Sequence, residues 1–292
     1  MEEICRFWAS GVVALSLGTL PTVTNAEPQG ETVTPPVQGY SDTPLIPGTD
    51  WHVHDPTRPQ PVLVTGTTAV TTPPPSDAIV LFDGTNLDHW VQADGQPAHW
   101  RVGDGIAQRS ETGGGIRTRD TFGDVQLHIE FRSPNPEEGS GQRRGNSGIF
   151  FMGRYEVQVL DSSDNPTYPD GQAGALYGQR PPLVNPSAPS GEWQSYDIIF
   201  EAPSFVADGA LAKPAYVTIF HNGVLVQHRV PYQGATSHRR VAQYKAHASE
   251  APITLQDHGQ TVHFRNIWAR RLDLPQPPIV PQMMVSVTPA SD

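Results

Sequence analysis

Apolar and polar residues alternate most cleanly over Tyr155–Leu160 (YEVQVL), with Tyr155, Val157 and Val159 on one side and Glu156 and Gln158 on the other. Side chains in a strand point to opposite faces with period two, so this stretch reads as a strand with one packed face and one polar face. The apolar residues 149–152 form a second strand joined to it through Gly153-Arg154. The same alternation runs through VQLHIEFR, placing Val125, Leu127, Ile129 and Phe131 opposite Gln126, His128, Glu130 and Arg132. Short strand-like runs at 78–82, 99–102, 105–108, 195–201, 215–220, 224–230 and 262–270 continue the series. Asp83-Gly84 and His221-Asn222-Gly223 punctuate them, and Asn-Gly is a strong hairpin signal. No segment keeps a 3.6-residue apolar period over three turns. The pattern predicts an all-β sandwich or barrel, and roughly 190 residues favour one large two-sheet antiparallel jelly roll.

That domain is assigned to residues 77–274; outside it the pattern changes. Residues 7–20 are a mostly apolar run, shorter than the roughly 20 residues a spanning helix needs. Followed by Thr24-Asn25-Ala26, the run fits a signal peptide over residues 1–26. Its n-region is atypical, because Glu2 and Glu3 precede Arg6. This predicts a secreted or periplasmic protein. Cys5, the one cysteine, would leave with that peptide, so core burial must hold the mature chain together.

Residues 27–76 are rich in Pro and Thr and read as an extended linker or docking arm. The arm contains Asp50-Trp51-His52-Val53-His54-Asp55. A His-x-His pair offers only two metal-ligating nitrogens, so the expectation is an arm docked on the main domain with Trp51 buried. Residues 275–292 are a proline-rich tail. The net charge of −11 argues against nucleic acid or an anionic membrane as partner, and is compatible with a neutral sugar. No other run is long enough to span a bilayer.

Eight short motifs follow in order: LFDGTNLDHW (81–90), GNSGIFF (145–151), YEVQVLD (155–161), GALYG (174–178), GEWQSYDI (191–198), HNGV (221–224), LQDHG (255–259) and VHFRNI (262–267). Together they resemble the 3-keto-disaccharide hydrolase family over about residues 77–272. The resemblance implies a concanavalin-like jelly roll, similar to lectins and β-glucanases. It also implies activity on sugars oxidised at C3: hydrolysis of 3-keto-glycosides, or elimination to a 3-keto-2-hydroxy-glucal and hydration of that. One departure is Gln194, where the family usually has Asn after the Trp, which puts a turn or a ligand contact in question.

A 3-keto group acidifies the C2 proton, so such a site needs a base, an acid for the leaving oxygen, and donors or a cation for the enolate oxygen. Glu156 is the first candidate acid or base. His258 suits proton transfer near neutrality. Asp257 orients His258, pairs with Arg265 or caps the turn. Arg265 is an oxyanion donor or a structural partner of Glu156 or Asp257. Asn146, Gln158, Asp161 and Gln256 are candidates for sugar hydroxyls, with Asp161 alternatively organising its turn. Tyr177 and Trp193 stack on a sugar face or belong to the core. A β-glucanase of this fold would carry Glu-x-Asp-x-Glu on one strand. The run from Glu156 to Asp161 lacks its second and third carboxylates, which suits one-base enolate chemistry better than a glycosidase pair. No cofactor is required, and a divalent ion near Glu156, Asp161 or His258 is not indicated by spacing. The competing reading is a non-catalytic carbohydrate-binding module, which needs amides and aromatics but no base.

Overall fold

The computed structural model describes residues 38–67, 71–111, 113–135 and 139–273. The signal peptide, Cys5 and the proline-rich tail lie outside them. The described strands are β1 (Val62–Leu63), β2 (Ile79–Phe82), β3 (Trp90–Val91), β4 (Arg101–Gly103), β5 (Ile106–Gln108), β6 (Ile116–Thr118), β7 (Val125–Arg132), β8 (Ser147–Phe151), β9 (Tyr155–Val159), β10 (Val184–Asn185), β11 (Gln194–Glu201), β12 (Ser204–Phe205), β13 (Leu211–Lys213), β14 (Tyr216–His221), β15 (Val224–Pro231), β16 (Ile253–Leu255) and β17 (His263–Arg271). Thirteen of them build a two-sheet antiparallel jelly-roll sandwich, and β1-β10 and β12-β13 form two separate two-stranded pairs. One sheet has eight strands in the order β15-β14-β11-β7-β17-β5-β4, with β2 also on β17; the other has five, β3-β6-β16-β8-β9. No helix among the described residues is long and apolar enough to cross a membrane.

Period-two patterning sets the core. Val125, Leu127, Ile129 and Phe131 of β7 are all buried in the core that also holds Tyr155, Val157 and Val159 of β9. Phe151 of the five-stranded sheet stacks on Phe200 of the eight-stranded one at 4.5 Å, and within the eight-stranded sheet Phe131 tilts against Tyr196 at 4.7 Å. Strand β8 starts earlier than the apolar run predicted and stops before Met152. Met152 and Gly153 both have positive φ, which makes the tight turn that returns the chain as β9. His221-Asn222-Gly223 forms the expected hairpin between β14 and β15. Gln194 is buried in the sandwich, where its Oε1 accepts from His221 Nε2 at 2.8 Å and from the Ala188 amide at 3.0 Å. Burial pushes His221 down to about 3, so its ring is neutral and donates there. The departure at 194 is therefore met by a turn-stabilising contact.

The arm lies on the sandwich. Val62 and Leu63 pair in parallel with β10, and Thr67 bonds Asn222. Its buried residues are Thr43, Ile46, Val53, His54 and Asp55, whereas Trp51 is only half-buried. The expectation that Trp51 is the anchor is corrected: Val53 and His54 fill that place, because the turn at 52–55 points them inward.

The polar face of β7 is buried too. Glu130 accepts from Arg265 Nε at 2.6 Å and from Asn266 Nδ2 at 2.8 Å, and His128 Nδ1 lies 2.7 Å from Asp197 Oδ1. Burial opposes charge on His128, but the hydrogen bond to Asp197 and the Glu130 carboxylate 3.6 Å from Nε2 outweigh it and raise the group to about 9. Burial likewise opposes the Glu130 carboxylate, yet His128, Asn266 and Arg265 hold it down at about 2. A histidine raised in the folded state contributes stability that is complete below its unfolded pKa and is lost as pH rises through the folded one. We expect the stability supplied by His128 to fall by on the order of 1–3 kcal/mol between pH 6.5 and about 9. Chemical denaturation across that range, compared with His128→Gln, checks it; an equal pH slope in the two proteins would remove His128 as the cause.

Candidate functional site

The polar face of β9 opens into a cavity of about 920 Å³. Strand β9 ends its sheet, and β8 lies beside it with Phe150 opposite Glu156 and Gly148 opposite Gln158. Gly148 leaves the space in which the Glu156 carboxyl rests; a methyl group there would run into Glu156 Oε1 and the Phe150 ring. The backbone of Glu156 is fixed from the far side, its N–H donating to Thr236 Oγ1 at 3.2 Å and its carbonyl accepting from Tyr232 Oη at 3.2 Å. Glu156 is 6% exposed and has no ion-pair partner among the described residues. Burial alone pushes its carboxyl up to about 8. Gln158, with its amide turned to suit its neighbours, donates to Glu156 Oε1 at 3.3 Å and to Ser147 O at 3.1 Å.

The opposite wall is aromatic. Tyr168 Oη and Tyr177 Oη are 3.0 Å apart, and Tyr177 Oη is 3.1 Å from His238 Nδ1. Burial pushes the Tyr177 phenol up, as do the charges of Glu156 and Asp170, so it stays protonated. Burial also lowers His238, helped by His54 and Arg239, so its ring is neutral near pH 7. Behind this wall the arm delivers His54, fully buried, its ring 4.1 Å from Tyr168 and stacked 5.2 Å from His238. Asp170, on the short 3-10 turn Pro169–Gly171, takes His54 Nδ1 at 3.2 Å and the His54 amide at 2.9 Å. The buried His54 Nε2 has no hydrogen-bond partner among the described residues. His52 points elsewhere, to the Thr43 carbonyl, so the two histidines of the arm do not share a ligand.

Asn146, Glu156, Gln158, Tyr177, Gln256 and His258 all line this cavity. His258 sits at the exposed rim, 3.2 Å from Gln260 Oε1. The other four residues singled out in the sequence lie elsewhere. Arg265 belongs to β17 in the eight-stranded sheet and pairs with Glu130, not with Glu156 or Asp257. Trp193 lies on that same side, beneath the guanidinium of Arg265 at 4.0 Å. Asp161 is buried and organises its own turn, pairing with Arg144 at 3.3 Å and accepting from Ser133 Oγ at 3.1 Å. Asp257 neither orients His258 nor meets Arg265: it pairs with Arg109 at 2.6 Å and caps the turn through the Gly259 amide at 2.9 Å.

Residues the sequence reading did not propose complete the cavity, among them Tyr40, Gln142, Arg143, Tyr168, Thr236 and His238. They come from loops, where no periodicity marks a face. The unusual Trp-and-His composition of the arm was the one local signal for His54. Among the described residues Glu156 is the only carboxylate on the lining, and no cluster of three metal-ligating side chains is present.

Comparison with known proteins is informative at this point. The model of the 3-keto-alpha-glucoside-1,2-lyase-like domain matches residues 77–270. A protein named 3-keto-disaccharide hydrolase from Bacteroides thetaiotaomicron is 25% identical over 238 residues, covering 67% of this chain and 78% of the relative. A crystal structure from Parabacteroides distasonis ATCC 8503, described as a glycosyl hydrolase candidate, is 43% identical with a TM-score of 0.67, covering 73% of this chain and 93% of that one.

A neutral buried acid should show itself directly. We expect an infrared carboxylic carbonyl band that disappears with a midpoint at about pH 8 and is missing from Glu156→Gln. Gly148→Ala should move that midpoint while leaving the β circular dichroism signature intact. A band that titrates in the ordinary glutamate range would refute the desolvated setting of Glu156.

Proposed function

The chain belongs to the 3-keto-alpha-glucoside-1,2-lyase-like domain family, and from that premise we propose that it is an extracytoplasmic enzyme that cleaves 3-keto-glycosides through an enolate. The observation that carries this reading is Glu156: a lone buried carboxyl held near pH 8 on the lining of a cavity furnished with amides, hydroxyls, imidazoles and the Arg143 guanidinium. A general base works best when its pKa lies near the working pH. The Glu156 carboxylate takes the proton from C2, and the C2–H electron pair forms the C2–C3 double bond of the enolate, leaving negative charge on O3. Collapse of the enolate restores the C3 carbonyl, forms the C1–C2 double bond and expels the C1 oxygen with its aglycone. That oxygen takes a proton from His258 at the rim or from water. Water then adds at C1 and gives its proton to His258 or to bulk water, while the Glu156 carboxyl, exchanged with solvent after the aglycone leaves, delivers a proton to C2. No redox cofactor is required, because the substrate arrives already oxidised at C3.

Arg143 fills the role that the sequence suggested for Arg265. It lines the cavity directly after Gln142, and a guanidinium there balances the charge gathering on O3. Asn146, Gln158 and Gln256 present amides to sugar hydroxyls, while Tyr168 and Tyr177 offer ring faces. A two-carboxylate glycosidase mechanism fits less well, since the described lining supplies one carboxylate and that one is protonated at neutral pH. The secreted or periplasmic setting belongs to the same proposal and rests on residues 1–26 of the sequence.

Incubation with methyl 3-keto-glucoside, of each anomer, tests the reading against its unoxidised counterpart. Release is expected only from the keto-sugar, with kcat rising as pH increases toward and past about 8. Glu156→Gln should lower kcat by about 10²- to 10⁴-fold. In deuterated water the product should carry deuterium at C2. Release without label at C2, or release undiminished in Glu156→Gln, would refute the enolate route. Binding of keto-sugars with no turnover would favour the carbohydrate-binding module.

A further inference from the structure

The cavity does not end at Gln256. A second cavity of about 410 Å³ opens on the same sheet and shares Phe150 and Gln256 with the first. Strand register explains the continuity. Glu156 stands opposite Phe150, Phe150 opposite Thr254, and Thr254 opposite Arg117. Directly opposed residues of neighbouring strands point to the same face. These four side chains therefore form one row across β9, β8, β16 and β6, three strand spacings or about 14 Å long. Glu156 ends the row in the first cavity, and Arg117 ends it in the second.

The lining of the second cavity has a definite chemistry. Gly115, Gly153, Ala93 and Thr254 contribute small side chains or none, and Phe150 supplies a ring at the boundary. Asp257 also lines it, but its carboxylate is held by Arg109 at 2.6 Å. Arg117 forms no ion pair with any described residue, so the cation facing this cavity is matched by no described carboxylate. A flat floor, an aromatic edge and an unpaired guanidinium suit a flat ring with an acidic group at its far end.

We propose that this second cavity is the aglycone subsite, and that it takes a planar apolar ring bearing a carboxylate, with the ring over Thr254 beside Phe150 and the carboxylate on Arg117. The assignment rests on the reading of Glu156 as the residue beneath the reacting sugar. It gives the leaving group a place, since the row runs from Glu156 directly across the sheet. A guanidinium matches a carboxylate with two parallel hydrogen bonds, which makes Arg117 a selector as well as a charge.

Methyl, benzyl and 4-carboxybenzyl 3-keto-glucosides have alcohol leaving groups and separate the subsite from the chemistry. The expected result is a KM about tenfold lower for 4-carboxybenzyl than for benzyl, the size of one favourable charged contact. That ratio should approach one in Arg117→Gln. Thr254→Tyr, which fills the floor, should raise KM for both benzyl substrates relative to methyl. Equal KM values for benzyl and 4-carboxybenzyl, or a preference that persists in Arg117→Gln, would overturn the subsite while leaving the reaction standing. If no keto-glycoside is cleaved, calorimetry with the same compounds still decides the subsite. Tighter binding of 4-carboxybenzyl that depends on Arg117 supports it with the reaction refuted, and equal binding refutes both.

Discussion

The structure depends on one constraint: a carboxyl group kept in a folded interior with no cation to balance it. Burial disfavours the charged form, and no cation among the described residues pairs with Glu156 to offset that cost, so its proton is held to about pH 8. Several separate features serve this arrangement. Gly148 gives the carboxyl room, Phe150 shields one side, and the backbone of Glu156 is tied by Thr236 and Tyr232 from outside the sheet. Strand β9 is the last of its sheet, where unpaired backbone groups would otherwise meet water. The segment around Gly174–Leu176 covers that edge: the Gln158 amide donates to Ala175 O and the Gly174 amide donates to Gln158 O, both at 3.0 Å. Covering the edge is also what dries the carboxyl.

Charge is placed differently on the two sheets. On the eight-stranded sheet His128, Glu130, Arg265, Asn266 and Asp197 are neighbours in register, and each ionisable group is matched by an opposite one. Matching holds Glu130 charged well below the ordinary glutamate range and His128 charged above the ordinary histidine range. On the five-stranded sheet Glu156 is left unmatched, and its titration moves the other way. Two glutamates in one sandwich, each at an even position of a β-strand, thus differ by several orders of magnitude in proton affinity. Both are nearly inaccessible to solvent, but Glu130 is surrounded by His128, Asn266 and Arg265, whereas burial acts on Glu156 without such partners.

This contrast also marks what the sequence could reveal. Alternation located β7 and β9 and told which residues of each shared a face, because period two is a local property of a strand. It correctly separated Glu156 and Gln158 from the core-facing tyrosine and valines. Parity carries no information on which sheet a strand joins, so Arg265 was matched with Glu156 although β17 pairs with β7 in the other sheet. Asp257 and Asp161 were ambiguous for a related reason: an acidic residue at a strand end has nearby turn amides and cations to satisfy, and here those contacts win. The aromatic wall was hidden further still. Tyr168 and His238 lie in loops, and His54 reaches Asp170 across 116 positions of chain. Contacts of that span leave no periodic trace.

The aromatic wall gives the arm a role beyond covering surface. Asp170 is fully buried and bonds the His54 ring and amide, so an acidic residue of the sandwich fixes the arm directly behind the aromatic wall of the cavity. His54 then packs on Tyr168 and His238, the residues flanking Tyr177. The wall facing Glu156 is therefore assembled from two parts of the chain, and loosening the arm would disturb the hydrogen-bonded run from Tyr168 through Tyr177 to His238. The substrate proposed above, oxidised at C3, would make this economy of groups intelligible. In that proposal the ketone itself takes up the electron pair released at C2, so the protein needs one base of suitable strength, the Arg143 guanidinium and a set of neutral donors. It does not need a second carboxylate to stabilise a cation. A protonated phenol and neutral imidazole opposite Glu156 suit that requirement, because neither would force the carboxyl to ionise before the substrate's own proton is within reach.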